Sequence, residues 1–188
     1  MAALDAWRAA IGLVYEQEKP ENFHHTHARR PLRRRPGLLI PSAAIAGLAK
    51  PVSRLIMGCD NQETMAHGAA VWDDYYERGG LTFDTAHIYG GGLQEKLLGH
   101  WVKNRGLREE VSLIVKGAHT PFCNPTDLLR EFDTSLGRLQ TGYADLYVMH
   151  RDNPDVPVGE FVDVLNQQVR AGRIRVFGGS NWSLARIA

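Results

Sequence analysis

Short apolar runs that alternate with amphipathic helices constrain the fold of this chain more than any other feature of its sequence. Five such runs occur from residue 51 onward, and they recur about every thirty residues with one helical stretch between neighbours. The predicted strands lie at 52–58, 81–84, 111–116, 144–149 and 173–178. This alternation predicts βαβ units and therefore a parallel sheet with helices packed on it.

The predicted helices carry start and stop signals. Asn124 is a good N-cap, Pro125 suits the first helical position, and Asp127 lies near the positive end of the same helix. The helix predicted at 65–78 is followed by two glycines, which suit a C-cap. Further helices are predicted at 93–104, from Pro157 to Gly172, and after Ser183.

Two architectures contain consecutive βαβ units, namely the open doubly wound sheet and the closed eight-stranded barrel. The number of units alone favours the open sheet, because a barrel needs roughly 250 residues and the chain has 188. An open sheet that binds nucleotides would carry a glycine-rich phosphate loop after its first strand. The residues at that place are Gly58-Cys59-Asp60-Asn61-Gln62, which do not form such a loop and argue against this class.

The composition excludes several classes of protein. Apolar residues make up 44% of the chain, charged residues 23%, and the net charge is +1, which is typical of a soluble globular domain without a nucleic-acid or membrane partner. The two cysteines, Cys59 and Cys123, have no metal-like spacing. We therefore expect no disulfide, no metal site and a reducing cytoplasmic location. No apolar run has the length of a membrane span or a secretion signal.

The first fifty residues differ from the rest of the chain. An amphipathic helix is predicted at 3–18 and ends before Pro20. The histidines within 24–27 favour a polar loop over a metal site, and the basic run 29–35 favours a solvated linker over an anion-binding segment. Residues 37–50 would form a hairpin or plug in a barrel. We therefore divide the chain into an N-terminal helix and basic linker, 1–50, and an α/β domain, 51–188.

Polar side chains follow the predicted strands at their C-terminal ends. Asp84, Lys116 and His150 end the second, third and fourth strands, Tyr89 lies in the loop after Asp84, and residues 180–181 follow the fifth strand. In both candidate architectures the active site is built at these ends. A charge this close to a core needs a partner, so we expect these side chains to contact one another.

Together these residue types make a tuned acid. A tyrosine has an ordinary pKa of about 10, and a neighbouring lysine ammonium lowers that pKa by stabilising the phenolate. An aspartate can hold the lysine in place and keep it protonated, and a histidine can orient a carbonyl substrate. The combination suits protonation of a carbonyl oxygen while hydride arrives at the carbon.

Two stretches of the sequence are similar to the signature sequences of the aldo-keto reductase family. The first, 83–90 followed by Glu95 and Leu98-Gly99, resembles the region around the family's catalytic aspartate and tyrosine. The second, 135–150, resembles the signature that ends in the catalytic histidine. Lys116 falls where the family has its catalytic lysine, and 172–182 resembles its fifth-strand region. The resemblance covers the chain from about residue 51 to its C-terminus.

This resemblance implies a TIM-type (β/α)8 barrel, which we expect to be truncated here after strand five. It also implies NAD(P)H-dependent reduction of an aldehyde or ketone, with NADPH as the expected cofactor and NADH as a possible one. The implied catalytic residues are Asp84, Tyr89 as the general acid, Lys116 and His150. The implied cofactor-binding residues are Gly58, Cys59, Asp84, Ser180 and Asn181.

Several alternatives stay open at this point. In the family, strands six to eight complete the barrel and the cofactor pocket, so a non-catalytic, truncated or regulatory module is the alternative function. Cys59 either lines the cofactor mouth or is an ordinary buried cysteine. His87, His100 and His119 are predicted to be loop or helix-surface residues.

The N-terminal region resembles the connecting region of fusions with a glucose–fructose-oxidoreductase-like dehydrogenase. The expected partners are therefore a small carbonyl substrate and either an upstream dehydrogenase domain or a second copy of the chain.

Overall fold

The computed structural model describes residues 32–37 and 39–187. Its strands are β1 (Ser42–Ala43), β2 (Val52–Ser53), β3 (Met57–Gly58), β4 (Thr82–Ala86), β5 (Ser112–Gly117), β6 (Ala144–Met149) and β7 (Ile174–Gly179). Its α-helices are α1 (Met65–Glu77), α2 (Leu93–Arg105), α3 (Pro125–Leu139), α4 (Val158–Arg170) and α5 (Leu184–Ile187), and a 3₁₀ helix spans Tyr89–Gly92. The alternation of strands and helices predicted from the apolar pattern is thus present.

Strand order decides between the two candidate architectures. Strands β3 to β7 form one parallel sheet in which each strand pairs with the next along the chain. A doubly wound sheet would reverse its order at a switch point, and this sheet does not. Neighbouring helices from α1 to α4 contact one another in succession, as they do along the outside of a barrel. The described part of the chain therefore forms five consecutive units of a TIM-type (β/α)8 barrel, although the number of units favoured an open sheet.

The prediction of a single strand at 52–58 is wrong, because the structure has two short strands there. Val52–Ser53 pairs antiparallel with Ser42–Ala43 in a hairpin, and only Met57–Gly58 joins the parallel sheet. Ser53 is held by side-chain hydrogen bonds instead of a sheet ladder: its Oγ accepts from Leu81 N at 2.8 Å, and its N donates to Thr82 Oγ1 at 2.9 Å. An exposed bend follows, so the apolar run does not continue as one strand.

Aromatic packing fixes the sheet to its helices. The ring of Trp101 lies 5.7 Å from that of Trp72 and 5.1 Å from that of Phe83, and the exposed fraction of these side chains is 2% or less. Gly99 allows α2 to approach α3 closely, because a Cβ at this position would lie 2.6 Å from the backbone of Arg138 and Leu139. This packing supports the strand ends that carry the polar side chains.

The basic run is not simply a solvated linker where it is described. Arg35 N donates to Glu77 O at 2.7 Å, the Arg35 guanidinium lies 3.0 Å from Asp74 Oδ1, and Arg34 lies over the ring of Tyr76. These arginines are exposed, yet they are paired with the end of α1, because the helix presents carboxylates there.

Several N-terminal predictions lie outside the described residues. They are the helix at 3–18, the histidines within 24–27, and Arg29 and Arg30. The division of the chain at residue 50 stays a prediction. Among the described residues, no helix combines the length and the apolar character needed to cross a membrane.

Candidate active site

A lysine–aspartate pair joins two neighbouring strands near their C-terminal ends. The prediction that Asp84 ends its strand is wrong by two residues, because β4 continues to Ala86. Asp84 of β4 lies opposite Ile114 of β5, and Lys116 is two residues farther along β5. The Lys116 ammonium reaches back and donates from Nζ to Asp84 Oδ2 at 2.5 Å. Burial lowers the pKa of Lys116, but its interactions with Asp84 and Tyr89 more than offset burial, so the pKa lies above its ordinary value. Lys116 is therefore a stable cation at neutral pH.

Tyr89 lies close both to Lys116 and to His150, which follows β6. It begins the 3₁₀ helix that follows β4, and Lys116 Nζ lies 5.0 Å from the centroid of its ring. The ring of His150, just after β6, meets the Tyr89 ring edge to face at 5.9 Å. The structure thus brings together the four side chains that the sequence singled out. Three strand ends supply them.

His150 is held as a neutral imidazole. Burial, followed by the charges of Lys116 and His119, lowers its pKa to about 4. Its backbone N donates to Gly117 O at 2.7 Å, which ties the end of β6 to the end of β5. Its buried Nδ1 makes no hydrogen bond within the described residues. A neutral imidazole at this place can donate one hydrogen bond to an oxygen that enters the site.

The lowered pKa values of His150 and His87 predict that the stability of the fold depends on pH. Burial, with the charge of Arg138, also lowers the pKa of His87 to about 4, and the ordinary value for both imidazoles is 6.5. Between these pH values the unfolded chain binds more protons than the folded one, so stability is full above pH 6.5 and falls toward pH 4. We expect the melting temperature to fall over this window, and a variant that combines His87→Asn and His150→Asn to show a flatter profile in thermal scans.

The exposed His67 of α1 offers the control for this profile. His67→Asn should leave the slope of melting temperature against pH unchanged, since the side chain is solvated in the folded state. An equally steep slope in the double variant would assign the acid sensitivity to other groups.

The predicted cofactor-binding residues divide into two groups. Asn181 Nδ2 donates to His150 O and to Ser180 Oγ at 3.0 Å each, which holds both residues of this pair beside the histidine. Gly58 is exposed at the end of β3, opposite Asp84. Cys59 is different, because its side chain is fully buried and burial raises the pKa of its thiol. Burial favours the ordinary buried cysteine of the two alternatives, and a cofactor-binding role for Cys59 stays a prediction.

An ion pair next to the loop that carries Tyr89 was not predicted from the sequence. Arg138 Nη1 donates to Glu95 Oε2 and to His87 O at 2.9 Å each, and the Glu95 carboxylate is fully buried. Both charged residues lie within the signature stretches. The available signal was a carboxylate among the apolar residues of α2, since a buried charge requires a partner.

Two of the three histidines predicted to lie in loops or on helix surfaces also pack against other side chains. His87 is half-buried, and its Nδ1 lies 3.3 Å from Arg138 Nη1. The ring of His119 packs edge to face on His150 at 5.0 Å. His100 lies on α2, where its Nδ1 is 3.1 Å from Gln140 Nε2. All three histidines lie in loops or on a helix, as predicted, and His87 and His119 pack in addition against neighbouring side chains.

Consecutive βα units with a polar cluster at the C-terminal strand ends are typical of barrel proteins, which build their active sites at that end. The sequence model of the Aldo/keto reductase family matches residues 56–188. The chain belongs to this family.

Curated and solved relatives agree with this assignment. The aldo-keto reductase YhdN of Bacillus subtilis (strain 168) is 36% identical over an alignment of 118 residues that covers 59% of this chain and 36% of YhdN. The holo form of aldo-keto reductase AKR11C1 from Bacillus halodurans superposes with a TM-score of 0.67 at 26% identity, covering 76% of this chain and 50% of that one.

The aldo/keto reductase from Klebsiella pneumoniae in complex with NADP and acetate gives a TM-score of 0.64 at 28% identity, covering 72% of this chain and 48% of that one. The chain thus spans about half, or less, of the length of these relatives.

Proposed function

We propose that this chain carries the catalytic centre of an NADPH-dependent carbonyl reductase. Tyr89 protonates the oxygen of an aldehyde or ketone while hydride reaches the carbonyl carbon. The observation that carries the proposal is the cluster at the strand ends, in which the Lys116 ammonium contacts both Asp84 and the ring of Tyr89. Membership of the aldo/keto reductase family supports the same class of reaction.

The residues beside this cluster fit a nicotinamide cofactor. Ser180 and Asn181 offer a hydroxyl and an amide next to His150, which suits the carboxamide of a nicotinamide ring. The Nδ1 of His150 has no hydrogen-bond partner among the described residues, so it can still form a hydrogen bond at the same place. When bound, the cofactor supplies the hydride. NADPH is proposed over NADH because the Klebsiella pneumoniae relatives are complexes with NADP and NADPH.

Each side chain of the cluster then has one task. Asp84 holds the Lys116 ammonium, whose charge stabilises negative charge that develops on the phenol oxygen of Tyr89. Neutral His150 donates a hydrogen bond that orients the substrate oxygen, and Tyr89 donates the proton. Proton transfer of this kind contributes about 10²–10⁴-fold to a rate.

The proposed partner is a small carbonyl compound, without nucleic acid or membrane. An upstream dehydrogenase domain, or self-association, is proposed from the N-terminal resemblance. A cytoplasmic location is proposed because Cys59 and Cys123 are both free and buried, which suits a reducing compartment.

The test is NADPH consumption by the purified chain with a panel of small aldehydes and ketones, together with NADPH binding measured by fluorescence. We expect turnover that falls by about 10²–10⁴-fold in Tyr89→Phe. Tyr143→Phe is the matched control, because Tyr143 precedes β6 and therefore lies at the opposite end of the strands. A folded chain that binds NADPH without turnover would instead support the non-catalytic module.

A further inference from the structure

We propose that Arg138 and Glu95 form a positioning pair that holds the glycine turn behind Tyr89, and thereby places the Tyr89 hydroxyl against Lys116. This inference rests on the proposed function, because the placement matters only if Tyr89 is the acid.

The turn behind Tyr89 is made of three glycines. Gly90, Gly91 and Gly92 follow in succession with φ values of 50°, 63° and 96°, all in the left-handed region. Glycine enters this region without steric cost, but it has the greatest freedom of any residue and offers no side chain for packing. The segment that carries the proposed acid therefore needs contacts from outside to stay in one conformation.

Arg138 supplies these contacts from α3. Its Nη1 donates to the carbonyl oxygen of His87 at 2.9 Å, on the N-terminal side of Tyr89. Its guanidinium also fills the space beside Gly92, on the C-terminal side, where a Cβ would lie 2.2 Å from Arg138 Cζ. One side chain thus contacts the turn on both sides of Tyr89.

Glu95 fixes the guanidinium in turn. Its Oε2 accepts from Arg138 Nη1 at 2.9 Å, and its side chain is fully buried, whereas 19% of the Arg138 side chain is exposed. A buried ion pair is weak evidence for stability, because desolvation offsets the attraction, but it does define one geometry for both partners. The pair is therefore better explained by the position that it enforces.

The same loop is tied to the lysine. His87 N donates to Lys116 O at 2.8 Å, and His87 O accepts from Arg138. The peptide groups on either side of His87 therefore join Arg138 to the strand that carries Lys116. Loss of the guanidinium should move Tyr89 relative to Lys116 while the sheet itself stays intact.

The experiment uses the whole chain labelled with fluorotyrosine, and Tyr89→Phe assigns the Tyr89 resonance in fluorine NMR. We expect Arg138→Met and Gly92→Ala each to shift and broaden this resonance while the resonance of Tyr147, in the core of β6, stays in place. In Arg138→Lys the Tyr89 resonance should stay close to its original position, since an ammonium can still donate to His87 O. Where turnover is measurable, kcat should fall by about 10²-fold with little change in KM, because small misplacements cost this much.

Two matched controls separate position from stability. Gly106→Ala imposes similar strain, with φ at +68°, but a Cβ there meets nothing within 4 Å. Arg130→Met removes an exposed arginine from the same helix. Both should leave the Tyr89 resonance unchanged.

An unchanged Tyr89 resonance in Arg138→Met and Gly92→Ala, with only a lower melting temperature, would overturn the proposal and leave the pair a merely structural role. If Arg138→Met fails to fold, Gly92→Ala decides alone. The NMR readout needs neither cofactor nor turnover, so a chain without reductase activity can still confirm or refute the positioning role.

Discussion

Replacing Lys116 with methionine is expected to raise the pKa of His150 above its value of about 4 and to reduce carbonyl reduction by about 10²–10⁴-fold. Lys116 is the largest cause of the lowered pKa after burial, so removing its charge makes protonation of the imidazole easier. Because burial remains, the pKa should rise only part of the way toward 6.5. The imidazole resonances of the protein, followed by NMR across pH, measure this change directly.

The loss of activity in Lys116→Met has a separate cause. Without the ammonium, the Asp84 carboxylate loses its partner and negative charge on the Tyr89 oxygen is no longer stabilised. Lys103→Met is the control, since that lysine is exposed on α2 and bonds to Gln140. A His150 titration that stays at its original midpoint in Lys116→Met would show that the two groups are not coupled electrostatically.

Replacing Asp145 with alanine is expected to lower the free energy of unfolding by about 3–5 kcal/mol, as the removal of one partner from a buried ionic network does. Asp145 is 2% exposed at the start of β6. Its carboxylate accepts from Lys50 Nζ at 3.0 Å, from Arg108 Nη1 at 2.9 Å and from Leu113 N at 3.0 Å. Alanine would leave two largely buried cations and one backbone N–H without this acceptor.

Urea unfolding of the unaltered chain and of Asp145→Ala measures this loss. It is a large part of the free energy of unfolding of a domain, which is roughly 5–15 kcal/mol. Asp133→Ala is the matched control, because Asp133 pairs with Arg173 on the surface and is 61% exposed. Its removal should cost only about 0–1 kcal/mol. A change of similar size in both variants would mean that the network around Asp145 contributes no more than a surface pair.

These two predictions concern opposite ends of the same sheet. Lys116 lies at the C-terminal strand ends, where barrel proteins build their active sites, and Asp145 lies at the N-terminal ends, where side chains serve stability. Lys50 links the segment just before β2 to this stabilising network. We therefore expect Asp145→Ala to act on folding and Lys116→Met to act on chemistry.

The sequence by itself determined the alternation of strands and helices, the start of α3 at Asn124, and the four side chains at the strand ends. These features depend on local patterns, since apolar periodicity and capping act within a few residues. The Asn124 side chain accepts from Asp127 N at 2.9 Å, as the cap predicted. Motif spacing indicated Asp84, Tyr89 and His150, of which Asp84 lies within β4, Tyr89 follows β4 after a short loop, and His150 directly follows β6.

Only the tertiary structure decided the strand order, the division of the first predicted strand, the burial of the Cys59 thiol and the pair of Arg138 and Glu95. Each depends on contacts between residues that are distant along the chain. Ser53 forms hydrogen bonds with Leu81 and Thr82 instead of joining the sheet ladder. Local propensity cannot predict bonds between residues so far apart along the chain. The lowered pKa of His150 has the same origin, because burial and the charge of Lys116 arise only once the strands lie side by side.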